Sequence, residues 1–278
     1  MKPIESSTQL VWVTDPHFDF LETDQIDRFL GKLATVSRDS GDGVVVMTGD
    51  IATGKTLAEI LRIIHEAIPR VFFVLGNHDA YGGRITEARE IADRFPGYLT
   101  TRTQPVVLTP TTCLMGHDGW ADGRAGNYHA SPLMLSDYVL IKELAGLSRE
   151  ERFYQLNVLG DLAGASVRAS LPRVLAIRSH VILATHVPPF QEACWYKGKI
   201  SNDNWAPHFS SRIMGQILVE VMMAYPDKRL TVLCGHTHSP GVYRPTENIA
   251  VYTGGAVYGQ PEIQAIFSAD DTDIDFEP

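Results

Sequence analysis

The 278-residue chain carries 24 Lys and Arg against 33 Asp and Glu, a net charge of −9, which disfavours binding to nucleic-acid backbone through clustered cations. Hydrophobic residues at 44% and charged residues at 21% exclude a disordered chain, and no apolar run approaches the roughly 20 residues needed to cross a bilayer. The length suits one large α/β domain and is short for two.

Residues 10–14 form an apolar, β-branched run that ends in Asp15-Pro16-His17. Helical spacing follows in Ile26, Phe29, Leu30, Leu33 and Val36, then a second run over 44–48 ends in Gly49-Asp50. Leu57, Ile60, Leu61, Ile64 and Ile68 predict the next helix, and the run 71–75 ends in Gly76-Asn77-His78-Asp79. This alternation is the signature of β-α-β units. A third helix is expected over 84–95, stopped by Pro96-Gly97, and short paired strands over 106–108 and 113–115. Residues 116–124 read as a polar, glycine-rich loop, and 136–179 as helices broken by Gly146, Gly160, Gly164 and Pro172. The run 181–185 ends in His186. Beyond it, Trp195, Tyr196, Lys197, Lys199, Asn202, Trp205 and His208 interleave aromatic and polar character. That pattern fits either a substrate-facing loop or a surface loop tucked by its own tryptophans. A helix over 213–225 has more apolar surface than one stripe needs, as core or as an interface, and leads to the run 231–234 and Gly235-His236-Thr237-His238. Val242-Tyr243 and Ala250-Val251-Tyr252 continue a sheet.

Short apolar runs bounded by Gly, Pro or Asp read as buried strands, and open α/β sheets place their ligands off the carboxyl ends of strands. Asp, His, Asp, Asn, His, His and His delivered to one edge therefore specify a metal site. Mixed carboxylate, amide and imidazole ligation suits Mn, Fe, Zn or Co better than Ca or Mg. The widely spaced Cys113, Cys194 and Cys234, and an N-terminus without a basic-then-apolar layout, predict a reducing, cytoplasmic setting. The acidic stretch Asp270, Asp271, Asp273, Asp275 and Glu277 reads as a solvated terminus.

In this order, Asp15/His17, Asp50, Asn77/His78, His186 and His236/His238 resemble the calcineurin-like metallophosphoesterase superfamily, from about residue 10 to 252. The resemblance implies a four-layer α-β-β-α sandwich of two mixed β-sheets flanked by helices. A single domain over 1–278 is expected, and its irregular or helical insertions at about 117–180 and 188–210 are candidates to cover the active site. The resemblance also assigns two divalent or trivalent ions, one held by Asp15, His17 and His238, the other by Asn77, His186 and His236, with Asp50 bridging. A carboxylate can offer an oxygen to each of two cations about 3.5–4 Å apart, and such a pair lowers the pKa of a bridging water enough to supply hydroxide for attack on phosphorus. His78 then contacts the phosphate or protonates the leaving oxygen.

The implied activity is that of a phosphodiesterase or phosphatase on a small or medium phosphoester. A non-catalytic scaffold on the same fold, or a nuclease, are the alternatives. Where many relatives carry Asp or Asn to orient the histidine after the ligand Asn, this chain has Thr53, whose hydroxyl is a candidate acceptor for His78. The absence of an Asp-Arg-Gly run there argues against protein Ser/Thr phosphatases and for the bacterial phosphodiesterase-like branches. His117, Asp118 and Trp120, after a strand end, are weaker candidates to line the substrate pocket. Asp79 is expected to cap the following turn, Cys234 to be a small buried hydrophobe, and His65 to serve helix packing. His180 precedes a strand and has no assigned role, and no motif supports His129 or His208.

Overall fold

Side-chain alternation along the strands sets the layers of this fold. The computed structural model describes residues 8–41, 43–100 and 102–276. The chain begins with β1 (Gln9–Val13), α1 (Thr23–Asp39), β2 (Val44–Thr48), α2 (Leu57–Ala67), β3 (Val71–Val74) and α3 (Ile85–Ala92). Next come β4 (Val106–Val107), β5 (Thr112–Gly116), the short α4 (Asp137–Leu140), the long α5 (Arg149–Leu175) and β6 (His180–Ala184). A small hairpin, β7 (Trp195–Tyr196) and β8 (Lys199–Ile200), precedes α6 (Ala206–Phe209) and α7 (Arg212–Met223). The chain closes with β9 (Arg229–Cys234), β10 (Gly241–Thr246), β11 (Ile249–Thr253) and β12 (Ile263–Ser268).

One sheet has the order β12-β1-β2-β3 and the other β10-β11-β9-β6-β5-β4. Both are mixed, with parallel centres and antiparallel partners at β12, β10 and β4. Leu10, Trp12, Val44, Val46, Ile182, Ala184 and Leu233 fill the space between the sheets. Their neighbours Val11, Val13, Val45 and Met47 face the other way, onto Phe29 and Leu33 of α1 and Leu61 and Ile64 of α2. On the second sheet Val181, Leu183 and Val232 pack against Val167 and Leu171 of α5 and Leu218 and Met222 of α7. The four-layer α-β-β-α sandwich follows from these facings.

One expectation is corrected. Gly160, Gly164 and Pro172 do not break the chain, since all lie within α5. A Cβ on Gly160 would sit 2.4 Å from Asp122 Cβ, and one on Gly164 2.6 Å from Ile217 Cδ1. Close packing therefore outweighs the propensity cost of roughly 1 kcal/mol for each glycine. The acidic residues Asp270, Asp271, Asp273 and Asp275 are exposed to solvent, as expected, and two of them also anchor the chain. Asp270 Oδ1 accepts from the hydroxyls of Thr109 (2.6 Å), Thr111 (2.9 Å) and Thr112 (2.9 Å), and Asp273 pairs with Arg244. Glu277 and the first seven residues, from which the lack of a secretory layout was read, lie outside the described residues. The apolar surplus of α7 is core, with Met214, Ile217, Leu218, Val221 and Met222 all buried. No helix among the described residues is long and apolar enough to cross a membrane.

Candidate metal centre

Every motif lies just past a strand end, where the chain must turn at once. Asp15 (φ 46°), His17 (φ 43°), Asp50 (φ 51°), His236 (φ 72°) and His238 (φ 58°) all adopt left-handed backbone. For non-glycine residues that conformation costs on the order of 1–3 kcal/mol each and clusters at functional sites. Backbone hydrogen bonds fix the turns, Asp15 N–H to Gly49 O (3.2 Å) and His17 N–H to Asp50 O (3.0 Å). The motif glycines answer to close approach. A Cβ on Gly76 would fall 2.2 Å from Asp50 Oδ1, and one on Gly235 2.0 Å from Asp15 Oδ2.

Ligand atoms from Asp15, His17, Asp50 and His238 lie within 4.8 Å of one another. His17 Nε2 is 3.1 Å from His238 Nε2, Asp15 Oδ1 is 3.4 Å from His238 Nε2, and Asp50 Oδ2 is 3.8 Å from His17 Nε2. Ligands about 2.1 Å from one ion stand about 3.0–3.4 Å apart in octahedral or tetrahedral shells, so this set fits a single cation. The other Asp50 oxygen faces a second group. Oδ1 lies 3.4 Å from His186 Nε2, which is 3.0 Å from Asn77 Oδ1. His186 Nδ1 donates to Thr48 O at 2.8 Å, freeing Nε2. His236 Nε2 donates to His208 O at 3.2 Å, freeing Nδ1. Fixing one ring nitrogen in this way orients the other toward a metal.

Burial holds His17 down to about 3 and His236 to about 4, and also lowers His186. These three imidazoles are therefore neutral at neutral pH, the form that coordinates a cation, whereas at His238 burial is outweighed by the hydrogen bond to Asp15 and its charge, which raise it. Burial opposes ionisation of Asp15, but the hydrogen bond from His238 and the surrounding imidazoles carry it below the usual carboxylate range. Burial and then the charge of Asp15 push Asp50 up. That cost is one that bound cations reverse.

His78 donates its backbone N–H to Asp50 Oδ1 (2.9 Å), and its ring stacks on Tyr81 with centroids 4.2 Å apart. Burial and the nearby imidazoles hold it at about 2. Its Nδ1 has no partner. Thr53 does not orient it, since the Thr53 hydroxyl faces that of Thr56 at 3.5 Å.

Three contributors had no clear signal in the sequence. Asp137 Oδ1 accepts from Asn77 Nδ2 (2.9 Å) and from the Tyr81 hydroxyl (2.5 Å), which turns the Asn77 oxygen toward His186. His208, which no motif flagged, supplies the carbonyl that fixes His236. Asp79 caps no turn. It accepts from Ile51 N (2.9 Å), Ala52 N (2.9 Å) and Gly76 N (2.7 Å), tying the Asp50 loop to the Asn77 loop.

Asp15, His17, Asp50, Asn77, His78, His186, His236 and His238 are thus brought together, whereas His117, Asp118 and Trp120 do not line the cleft in front of them; Asp118 and Trp120 border a small cavity shared with Asn77, His186 and His236. Asp118 accepts from Leu75 N, Arg89 Nε and the Tyr98 hydroxyl. His117 Nδ1 accepts from Gly119 N, and Trp120 is part of the core. Cys234 is buried and His65 packs against Phe73 and Phe95, as expected. His129 pairs with Glu150 at the surface.

Residues 8–240 match the model of the calcineurin-like phosphoesterase family. The chain belongs to that family. As a calcineurin-like phosphoesterase it is a phosphoric ester hydrolase, and its Asp and His cluster is of the kind that holds a binuclear metal site. No curated protein matches its sequence. Among solved structures it is similar to a dimetal phosphatase from Danio rerio, at 14% identity and TM-score 0.55 over 92% of this chain and 90% of that one. It is likewise similar to TT1561 of Thermus thermophilus, at 16% identity and TM-score 0.51 over 90% and 89%. A 5'-nucleotidase from Candida albicans aligns at 11% identity and TM-score 0.52 over 94% of this chain, which spans 46% of that longer protein. At such identities these likenesses speak to the fold alone.

Proposed function

We propose that this calcineurin-like phosphoesterase hydrolyses small or medium phosphoesters, as a phosphatase or phosphodiesterase, at a two-ion centre. Asp15, His17 and His238 would hold one ion and Asn77, His186 and His236 the other. The observation that carries the reading is the split of Asp50, with Oδ2 toward His17 (3.8 Å) and Oδ1 toward His186 (3.4 Å). Such a carboxylate would be able to serve both ions at once. When bound, the ions supply an activated water and neutralise charge on the phosphoryl oxygens. Mn, Fe, Zn or Co suit this donor set.

The chain's own residues do the rest. His78, with its ring over Tyr81 and 3.9 Å from Asp50 Oδ2, stands where an imidazole N–H can donate to a phosphoryl or leaving oxygen. Asp137 and the His208 carbonyl hold Asn77 and His236 in ligating orientation. The segment 188–210 contributes Tyr196, Trp205 and Phe209 to the cleft.

The test compares bis-p-nitrophenyl phosphate with p-nitrophenyl phosphate in Mn²⁺, with Asp50→Asn as control. Faster diester cleavage assigns a phosphodiesterase, faster monoester cleavage a phosphatase. Full activity in the variant would sink the two-ion mechanism.

A further inference from the structure

The cleft in front of the ion site measures about 320 Å³ and has aromatic walls. Trp205 stacks on Phe209 with centroids 5.0 Å apart, and Tyr196 lies 5.0 Å from Trp205. Phe209 abuts His236 at 5.3 Å. At the other end of the ligand set, Tyr258 lies 4.5 Å from His17 and 5.0 Å from His238, with Phe20 behind it at 4.6 Å. Aromatic rings therefore flank the ligands of both ions. Tyr258 is 46% and Phe20 53% exposed, while Tyr196 and Trp205 are half-buried.

Phe209 is buried and backs Trp205, but folding alone does not account for Tyr196, Trp205 and Tyr258 left partly open at a polar centre, because such surface is ordinarily withdrawn from water. Trp195 packs onto Gly241, where a Cβ would lie 2.1 Å from its Nε1. Trp195 thus tucks the loop, and Trp205 and Tyr196 face the cleft.

The wall is also held in register with the ion ligands. The β7–β8 hairpin turns through Lys197 (φ 51°) and Gly198 (φ 71°). Lys197 N–H donates to Ser239 Oγ at 2.9 Å, just past His238. His208, next to Phe209, binds His236 through its carbonyl. A rigid site of this kind loses little ordering entropy when a ligand enters. Finally, Thr237 lines the cleft with its hydroxyl buried and without a partner. A buried hydroxyl ordinarily has one.

We propose that Tyr196 and Trp205, backed by the buried Phe209, form a stacking subsite for a planar aromatic group, so that the preferred substrates are phosphoesters of nucleosides or other aromatic alcohols, with Thr237 donating to a polar edge of the bound group. The proposal rests on the phosphoesterase reading and names its substrate class.

Stacking of a base on an aromatic side chain changes binding by about 5- to 100-fold. In Mn²⁺, kcat/KM is compared for adenosine 5'-monophosphate, phenyl phosphate and glycerol 3-phosphate. The aromatic esters are expected to lead, and Trp205→Ala to lower the aromatic-to-glycerol ratio by about 5- to 100-fold, with Trp205→Phe restoring most of it. A lead of the nucleotide over phenyl phosphate supports a base, and the reverse supports a simple aryl group. Both keep the planar-ring subsite. An unchanged ratio in Trp205→Ala overturns it while leaving the hydrolase reading intact.

A readout independent of turnover is tryptophan fluorescence titrated with adenosine. Quenching is expected in the wild type and in Trp195→Phe, and its loss in Trp205→Phe. If none of these monoesters is cleaved, the phosphatase reading fails, the diesterase reading is left to the bis-p-nitrophenyl phosphate assay, and this titration still decides the subsite. No quenching in the wild type overturns it.

Discussion

Removing the Asp137 carboxylate tests whether ligand orientation, and not ligand identity alone, sets the affinity of the second ion. An amide can present either oxygen or NH₂ to a cation, and only the oxygen ligates. In this fold Asn77 Nδ2 donates to Asp137 Oδ1 at 2.9 Å, which leaves Oδ1 on the His186 side. Asp137→Ala deletes a charged acceptor worth roughly 1.5–3 kcal/mol. At about 1.4 kcal/mol per decade this weakens the second ion about 10- to 100-fold, the usual range for an outer-shell partner. Tyr81 still reaches Asn77 Nδ2 at 3.2 Å, so Tyr81→Phe alone should cost less, and Tyr81→Phe with Asp137→Ala the most. Calorimetric titration of the apoprotein with Mn²⁺ reads the two sites separately. The first site, built on Asp15, His17 and His238, should keep its affinity within about threefold, since Asp137 touches none of its ligands. Two ions bound to Asp137→Ala with wild-type affinities would refute the reasoning.

Further outcomes follow from other contacts. Gly235→Ala puts a Cβ 2.0 Å from Asp15 Oδ2 and Thr14 Oγ1, so metal analysis should find the first ion lost; two ions retained would refute it. His78→Asn should lower kcat by about 10²- to 10⁴-fold with both Mn²⁺ ions still bound, and a kcat within threefold of wild type would remove His78 from the chemistry. Asp79→Ala strands the N–H groups of Ile51, Ala52 and Gly76. It should cost about 3 kcal/mol or more by urea unfolding of the apoprotein, and a cost below about 1 kcal/mol would contradict the role of Asp79. His180 is 6% exposed, and burial, aided by Arg229, holds it at about 4. Its unfolded form titrates near 6.5, so as pH falls from about 6.5 to 4 the unfolded chain takes up a proton that the fold refuses, and stability drops by about 1.4 kcal/mol per pH unit. Between pH 7 and 5 the wild type should therefore lose about 2 kcal/mol more than His180→Gln; equal losses would show that His180 does not titrate in this way.

The sequence by itself determined the parts that depend on local chemistry. Apolar runs ending in Asp15-Pro16-His17, Gly49-Asp50, Gly76-Asn77-His78-Asp79, His186 and Gly235-His236-Thr237-His238 specified buried strands, the edge where a ligand binds, and the residue types suited to a cation. The helices after the first two motifs followed from apolar spacing, and the third from its stop at Pro96-Gly97. Tertiary structure decided what depends on contacts between distant segments. Gly160 and Gly164 read as breaks because their packing against Asp122 and Ile217 leaves no local trace. Strand β12 was unread because the exposed Ile266 (47%) blurs the alternation of Ile263, Ala265 and Phe267. Asp137 and His208 sit in the short helices α4 and α6, far along the chain from Asn77 and His236, which they orient. Their roles arise only when folding places one hydrogen-bond acceptor beside each ligand. The left-handed backbone at Asp15, His17, Asp50, His236 and His238 is likewise invisible in side-chain identities, because it is imposed by the turns that bring five strand ends to one site.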